Sequence, residues 1–247
     1  MLGINNKLCI FTTYLSCGLD PQRNFSFPAN FECVFYPLMI GCVQNDIDLF
    51  IFHDGSVSSH IEGNITKFNS NIHFVRISPN NTNLSNNDYR FKIYLENFHL
   101  SKNFTHVLFS DASDVFIRKN PIQKMDKEKI QICQETSSSF DFFNNHYRSQ
   151  LQIIKSSSNL DIDSYMKLPT TPLNAGVWGG YIELIYSFLK EYVSSMEDIS
   201  SSNSKINCNN LLLNIMLKTK NMPVDSSIFS PFKRYAFKDD SFYIYHK

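Results

Sequence analysis

The stretch THVLFSDASDVFIRKNP, residues 105–121, predicts a buried strand that runs directly into a polar turn with two carboxylates. In open α/β sheets, ligands bind beyond the carboxyl ends of the strands. Asp111 and Asp114 would therefore face a cleft, and their spacing lets both converge on one ion through a tight turn. Carboxylate oxygens suit a hard divalent cation such as Mg²⁺ or Mn²⁺. Because Asp-x-x-Asp is also common in ordinary turns and caps, the metal interpretation depends on the segments around it.

On both sides of this stretch, strand-like and helix-like patterns alternate, which favours a mixed, mostly parallel sheet flanked by helices. Asp88 is expected to cap a helix, and Pro37 either kinks the first helix or marks its true start. Residues 137–164 are expected to be irregular around a short helix near 147–154. Polar loops are expected at 78–87 and 200–204. The predicted strands are 7–14, 48–52, 72–77, 106–110, 130–134 and 242–245, and the predicted helices are 30–45, 88–100, 181–196 and 207–218.

Composition and charge restrict the class of protein. The chain has 247 residues, 43% of them apolar, which suffices for one large domain that we place at 1–247. Its 23 basic residues are balanced by 23 acidic ones, which argues against a nucleic-acid partner because such binding needs an excess of cations. No apolar run approaches the ~18 residues of a membrane span, and the start lacks a signal-peptide layout, so we expect a soluble, cytoplasmic protein. The six cysteines show no Cys-x-x-Cys spacing, so a zinc site is not expected.

A second informative segment is TPLNAGVWGGYIEL, residues 171–184, which reads as a turn-rich approach to a helix. Glycine lets the backbone come close to a ligand, and an asparagine amide both donates to and accepts from hydroxyls. Asn174, Gly176 and Gly180 are therefore candidate ligand contacts, although a plain strand-to-helix turn would also use glycine. In the last segment, FYIYHK, His246 follows an apolar strand. A single histidine is more often a core or surface residue than a ligand.

Together these segments resemble the glycosyltransferases of the GT-A fold, in particular the subset with Asp-x-x-Asp in place of Asp-x-Asp. The glycosyltransferase domain of procollagen lysyl hydroxylases is similar in its Asp-x-x-Asp motif and its late histidine. The motifs occupy short stretches, although their order spans most of the chain. The resemblance is carried by DYRF (88–91), VLFSDASDVF (107–116), Asn-Pro (120–121), LNAGVWGG (173–180), NNLLLN (209–214) and the terminal strand that ends in His246.

The resemblance implies that Asp111, Asp114 and His246 are the protein ligands of a divalent ion. One nitrogen ligand beside two carboxylates favours Mn²⁺ over Mg²⁺. The implied activity is transfer of a sugar from a nucleotide-diphosphate sugar, for which we expect a UDP-sugar, to a hydroxyl of a glycan, protein or small-molecule acceptor. The ion would stabilise the diphosphate that leaves.

The resemblance also implies donor-binding residues. Thr12 and Thr13 at the end of the first strand, with Asp54 after the second, lie where the fold places base and ribose. Asn174 and Gly176 would face the donor sugar. Arg90 supports the donor, holds Asp111 or forms a surface ion pair, and Lys247 would bind phosphate. Gly180 is a further candidate donor contact. Apart from the resemblance, the single tryptophan, Trp178, either stacks on a sugar ring or fills the core.

One departure from the resemblance concerns the acceptor. Relatives often carry an aspartate near the start of the late helix, where this chain has Asn209 and Asn210. Because an asparagine cannot take a proton at neutral pH, no general base is named from the sequence. The stereochemical outcome of transfer stays open.

Two alternatives remain. A sugar-phosphate nucleotidylyltransferase would need a glycine-rich, basic loop after the first strand, where residues 12–23 offer only Gly18 and Arg23. A catalytically inactive module that binds a nucleotide-sugar or a glycan would agree with the asparagines at 209 and 210. Hydrolysis of a UDP-sugar in the presence of Mn²⁺ separates the transferase from the binding module.

Overall fold

The computed structural model describes residues 6–17, 26–79, 83–135, 140–168, 171–202, 206–232 and 241–246. Within these ranges a seven-stranded sheet has the order β3-β2-β1-β4-β7-β6-β8, and β5 and β9 form a second, two-stranded sheet. The strands are β1 (Leu8–Tyr14), β2 (Asp48–His53), β3 (Ile72–Arg76), β4 (His106–Ser110), β5 (Val115–Ile117), β6 (Ile130–Gln134), β7 (Leu173–Tyr181), β8 (Val224–Asp225) and β9 (Ile244–His246). The helices are α1 (Tyr36–Gln44), α2 (Ser59–Thr66), α3 (Asn86–Glu96), α4 (Phe140–His146), α5 (Arg148–Ser157), α6 (Ile162–Met166), α7 (Ile182–Ser202) and α8 (Asn209–Thr219).

The expected mixed, mostly parallel sheet is confirmed. Strand β1 pairs in parallel with β2 on one side and with β4 on the other, and β3 pairs in parallel with β2. Strand β7 runs antiparallel to both β4 and β6. The chain thus moves outward from β1 to β3 and crosses back to β4, so the strand order reverses between β1 and β4. Ligands of open α/β sheets bind at such a reversal, outside the carboxyl ends of the strands.

Buried apolar side chains cover both faces of the large sheet. On one face, the ring of Trp178 in β7 lies 4.9 Å from that of Phe109 in β4 and 5.7 Å from that of Tyr192 in α7, between ring centroids. Trp178 is fully buried, so it fills the core and does not offer a surface to a sugar ring. Edge-to-face aromatic packing of this kind adds to the free energy gained from burial alone.

Several helix predictions change in the structure. Pro37 lies in the first turn of α1 and marks its start, since proline needs no hydrogen-bond donor there. Ser85, and not Asp88, caps α3, because the Ser85 hydroxyl accepts from the backbone amide of Asp88. Helix α7 continues to Ser202 through part of the predicted loop 200–204. Helix α2 was not predicted at all, and none of its residues is buried.

Two segments are more regular than predicted. Residues 173–181, expected as a turn-rich approach to a helix, form the central strand β7. Residues 140–166, expected to be irregular around one short helix, form α4, α5 and α6. Elements that are distant in the sequence pack against both segments. A local sequence pattern does not contain these contacts, so it could not predict either departure.

The predicted strands at 7–14, 48–52, 72–77, 106–110 and 130–134 are confirmed with small changes at their ends, and the last strand is shifted to Ile244–His246. In the described ranges, no helix has both the length and the apolar character that crossing a lipid bilayer requires. The cytoplasmic location stays a prediction.

Asp88 connects α3 to the start of α8. Its carboxylate is fully buried and accepts hydrogen bonds from the backbone amides of Cys208, at 3.1 Å, and Asn209, at 2.9 Å. These amides lie at the N-terminus of α8, where backbone donors lack partners within the helix. Burial raises the pKa of Asp88 to about 6, against the opposing effect of these hydrogen bonds. Asp88 is therefore an anchor for α8, a role different from the capping role expected for it.

The raised pKa of Asp88 predicts a pH dependence of stability. A carboxyl that holds its proton more tightly in the folded state stabilises the fold fully at pH values below the unfolded pKa. This contribution is lost as the pH rises through the folded pKa, from about 4 to about 6. A shift of about two units corresponds to about 3 kcal/mol. Urea unfolding at pH 4, 5, 6 and 7 should show this decrease in wild type relative to Asp88→Asn, which cannot titrate there. A stability difference between the two proteins that stays constant with pH would contradict the prediction.

Candidate functional site

A cavity of about 670 Å³ opens at the carboxyl ends of β1 and β4, where the strand order reverses. Thr13 and Tyr14 line it from the end of β1, and Asp111 to Asp114 line it from the turn after β4. Its volume lies within the range of ~300–1,000 Å³ that small-molecule sites occupy. Helices α3, α4 and α8 supply other parts of the wall.

Three potential metal ligands converge on this cavity. Ligand atoms of Asp111, Asp114 and His246 all lie within 4.8 Å of one another. The Nε2 atom of His246 is 3.5 Å from Oδ2 of Asp111 and 3.9 Å from Oδ1 of Asp114. The imidazole is buried, whereas both carboxylates are partly exposed to the cavity. The structure therefore brings together the three residues that the sequence analysis named as a set.

The pairing of β5 with β9 explains why such distant residues meet. Val115, directly after the Asp-x-x-Asp turn, is the antiparallel partner of His246. The backbone amide of Asp111 donates to the carbonyl of Gly176 at 2.7 Å, which ties the turn to β7. The ring of Phe232 packs on the imidazole with 4.6 Å between ring centroids. Backbone pairing and packing thus bring these three side chains together.

Gly176 allows this close approach. A Cβ atom built at this position would lie within 3.0 Å of both the imidazole of His246 and Oδ2 of Asp111. No side chain other than hydrogen leaves room for these two groups at their observed positions. Gly176 both lines the cavity, as its predicted ligand contact requires, and contacts the side chains that would hold the ion.

Arg90 supports Asp111, which was one of its three predicted roles. Its Nη1 donates to Oδ1 of Asp111, its Nη2 donates to the carbonyl of Ala175 at 3.2 Å, and its guanidinium lies over the ring of Phe91. Because its contacts with the Ala175 carbonyl and the Phe91 ring hold the guanidinium in place, Arg90 fixes the orientation of the Asp111 carboxylate. Arg90 also lines the cavity, so a contact with an anionic ligand remains open to it.

The donor set of this cluster fits a divalent cation. Two carboxylates and one imidazole match the oxygen and nitrogen ligands that Mn²⁺ accepts. The Nδ1 atom of His246 is buried without a hydrogen-bond partner among the described residues, and Nε2 faces both carboxylates. With three protein ligands, further coordination positions would remain for oxygens of a bound molecule.

Other predicted donor contacts lie elsewhere. Thr12 is fully buried, and its hydroxyl donates to the carbonyl of Ser110 at 2.9 Å, so it connects β1 to β4 and does not face the cavity. Asp54 accepts hydrogen bonds from the backbone amides of Ser16 and Cys17 and shapes the loop after β1.

Gly180 pairs with Val107 in the central part of the sheet, away from the carboxyl end of β4. A Cβ atom built on Gly180 would lie 3.1 Å from the Lys129 carbonyl oxygen and 3.5 Å from Cδ1 of Ile185. Lys247 lies outside the described residues. Of the other predicted contacts, Thr13, Asn174 and Gly176 line the cavity.

Apart from Asn210, the residues of another part of the cavity wall were not named individually from the sequence. Glu135, Phe143, His146 and Tyr147 line this part together with Asn210. A signal for Glu135 was present, since it directly follows the predicted strand 130–134 as Asp111 follows 106–110. Phe143, His146 and Tyr147 lie within residues 137–170, where acceptor contacts were expected, but the irregular local pattern singled out none of them.

Comparison of the chain with models of protein families and with curated proteins gives no match.

Proposed function

We propose that this protein is a divalent-metal-dependent glycosyltransferase that uses a nucleotide-diphosphate sugar, with a UDP-sugar as the expected donor. The observation that carries the proposal is the convergence of Asp111, Asp114 and His246 at the edge of the cavity. A cluster of two carboxylates and one imidazole is suited to an ion that binds diphosphate oxygens. The resemblance of the surrounding motifs to the Asp-x-x-Asp glycosyltransferases supports the same activity.

In this reaction an acceptor hydroxyl replaces the nucleoside diphosphate at the anomeric carbon of the sugar. The bond between that carbon and the β-phosphate oxygen breaks, and its electron pair leaves with the diphosphate. A divalent ion held by the cluster would supply positive charge to the leaving phosphates when bound. The fold would place the three side chains that hold the ion before the donor binds.

Individual side chains have distinct roles in this proposal. Asp111, Asp114 and His246 hold the ion, and Arg90 keeps Asp111 oriented through its two contacts with that carboxylate and the Ala175 carbonyl. Gly176 leaves the space that the cluster needs. Because these positions are fixed by β4, β5, β7 and β9, little reorganisation is needed when the donor binds.

An inactive nucleotide-sugar-binding module remains the second candidate. The observation in its favour is that Asn209 and Asn210, which cannot act as bases at neutral pH, line the cavity at the start of α8. Such a module would bind UDP with the ion and release no UDP from any UDP-sugar.

Thermal unfolding with UDP and Mn²⁺ tests the donor site. A ligand at a hundredfold excess over its dissociation constant stabilises the folded state by ~2.7 kcal/mol. For a protein of this size that corresponds to a rise in Tm of roughly 5–10 °C. UDP with Mn²⁺ should produce this rise, and UDP with EDTA should not. An equal rise with and without the ion, or none with either, would contradict a metal-dependent donor site, and UDP release from UDP-sugars then separates the transferase from the binding module.

A further inference from the structure

Glu135 is the acidic residue of the cavity that the proposed ion does not use. The carboxylates among the described lining residues are those of Asp111, Asp114 and Glu135. Glu135 directly follows β6, and its backbone amide donates to the carbonyl of Pro172 at 2.8 Å. Its side chain is partly buried and reaches the cavity from the wall formed by α4, α5 and α8.

Two asparagine amides direct their NH₂ groups at this carboxylate. Nδ2 of Asn174 is 3.4 Å from Oε2 of Glu135, and Nδ2 of Asn210 is 3.5 Å from the same oxygen. The oxygen of each amide is already occupied by a backbone donor of β7. Oδ1 of Asn174 accepts from Gly176 at 2.8 Å, and Oδ1 of Asn210 accepts from Ala175 at 2.9 Å. The orientation of both amides is thus set by the strand, and both must present donors to Glu135.

These contacts leave Glu135 able to bind a ligand. Both amide hydrogen bonds reach Oε2, whereas a carboxylate has about four acceptor positions on its two oxygens. No described lysine or arginine forms an ion pair with Glu135; the arginine of this cavity, Arg90, pairs with Asp111 instead. Neutral amides hold a carboxylate in place without pairing its charge, so acceptor positions remain for a ligand hydroxyl.

Glu135 is connected to the proposed ion site through a short chain of contacts. Asn174 contacts Glu135 with its amide NH₂ and Gly176 with its amide oxygen, and Gly176 in turn lies directly against His246 and Asp111. Glu135 and the three proposed ion ligands therefore line the same cavity, with Asn174 between them.

We infer that Glu135 is a catalytic residue that binds the acceptor and acts as its base. Its carboxylate accepts a hydrogen bond from the attacking hydroxyl and then takes the proton of that hydroxyl. The inference rests on the proposed transferase activity. The acceptor oxygen bonds to the anomeric carbon, the bond from that carbon to the β-phosphate oxygen breaks with its electron pair, and the acceptor proton moves to Glu135. The wall around it carries amides, a phenol and aromatic rings, supplied by Asn209, Asn210, Phe143 and Tyr147. These groups suit an uncharged, hydroxyl-bearing acceptor such as a sugar.

Hydrolysis of UDP-sugars tests this role, because water can replace the unidentified acceptor. UDP release from UDP-glucose, UDP-galactose, UDP-xylose and UDP-N-acetylglucosamine is measured with Mn²⁺ for wild type, Glu135→Gln and Glu135→Ala. Binding of UDP with Mn²⁺ is measured for each protein by calorimetry. Glu128→Gln is the matched control, because Glu128 lies before β6 and is exposed.

We expect Glu135→Gln to bind UDP with Mn²⁺ like wild type and to release UDP ~10²–10⁴-fold more slowly, the range typical of a lost proton acceptor. Added formate should partly restore Glu135→Ala and leave Glu135→Gln unchanged, because only the alanine variant has space for a replacement carboxylate. A Glu135→Gln protein with wild-type turnover, or one that loses UDP binding in parallel, would refute the role of Glu135 and leave the transferase proposal standing. Absence of turnover in wild type with every donor would instead refute the proposed function and, with it, this role.

Discussion

Asp111→Asn should lower Mn²⁺-dependent UDP release from a UDP-sugar by about 10³-fold, the upper range for loss of one group that stabilises transition-state charge. Asparagine has nearly the same shape as aspartate but carries no charge, so the change removes one anionic ligand from the cluster. The same change removes the ion pair between Arg90 and this carboxylate. The remaining ligands, Asp114 and His246, would hold the ion more weakly and with less defined orientation.

The measurement is UDP release by wild type and Asp111→Asn over a range of Mn²⁺ concentrations, with the Tm of both proteins in EDTA as a test of folding. Asp126→Asn is the control, because the Asp126 carboxylate pairs with Lys129 outside the cavity. It should keep wild-type turnover. If Asp111→Asn kept wild-type turnover at all Mn²⁺ concentrations, the assignment of Asp111 as a ligand would be wrong.

Gly176→Ala should weaken Mn²⁺ binding by about 100-fold although it adds only one methyl group. Changes next to metal ligands typically cost 10–100-fold in affinity, and this one acts on two ligands at once. The added Cβ would lie within 3.0 Å of the His246 imidazole and of Oδ2 of Asp111. His246 is buried and packed against Phe232, so it has little room to move. We therefore expect the Asp111 carboxylate to shift away from the added methyl group, which separates it from the other two ligands.

Calorimetric titration of Mn²⁺ in the presence of UDP measures this loss. Gly63→Ala is the matched control, because a Cβ at Gly63 in α2 has no neighbour within 4 Å. That control should bind Mn²⁺ normally and gain roughly 0.5–1 kcal/mol of stability from its helical position. Equal Mn²⁺ affinity of Gly176→Ala and wild type would show that the ligands do not need the observed close packing.

Much of the fold follows from local sequence patterns. The buried strands around Phe11, Ile51 and Leu108 are apolar runs bounded by polar turns, which a period-two or continuous apolar pattern identifies. The two aspartates were predictable as site residues because they directly follow such a strand. His246 was predicted only through the family resemblance, since an isolated histidine after an apolar run has no local feature that indicates a ligand.

The remainder depends on contacts between distant segments. Residues 173–181 contain three glycines, which favour turns locally, yet β4 and β6 pair with them on both sides and form the strand β7. Thr12 occupies the expected place at the end of β1, but strand alternation directs its hydroxyl to Ser110 and leaves Thr13 to face the cavity. Glu135 acquires its candidate role only through Asn174 and Asn210, which the fold brings to it.

The most direct test of the account is the position of the ion itself. Crystals grown with Mn²⁺ and UDP give an anomalous-scattering map that locates manganese independently of the protein phases. We predict one strong peak at bonding distance from Asp111, Asp114 and His246, with diphosphate oxygens completing its coordination. Manganese bound at another place in the cavity, or UDP bound there with no manganese beside these three side chains, would contradict the account.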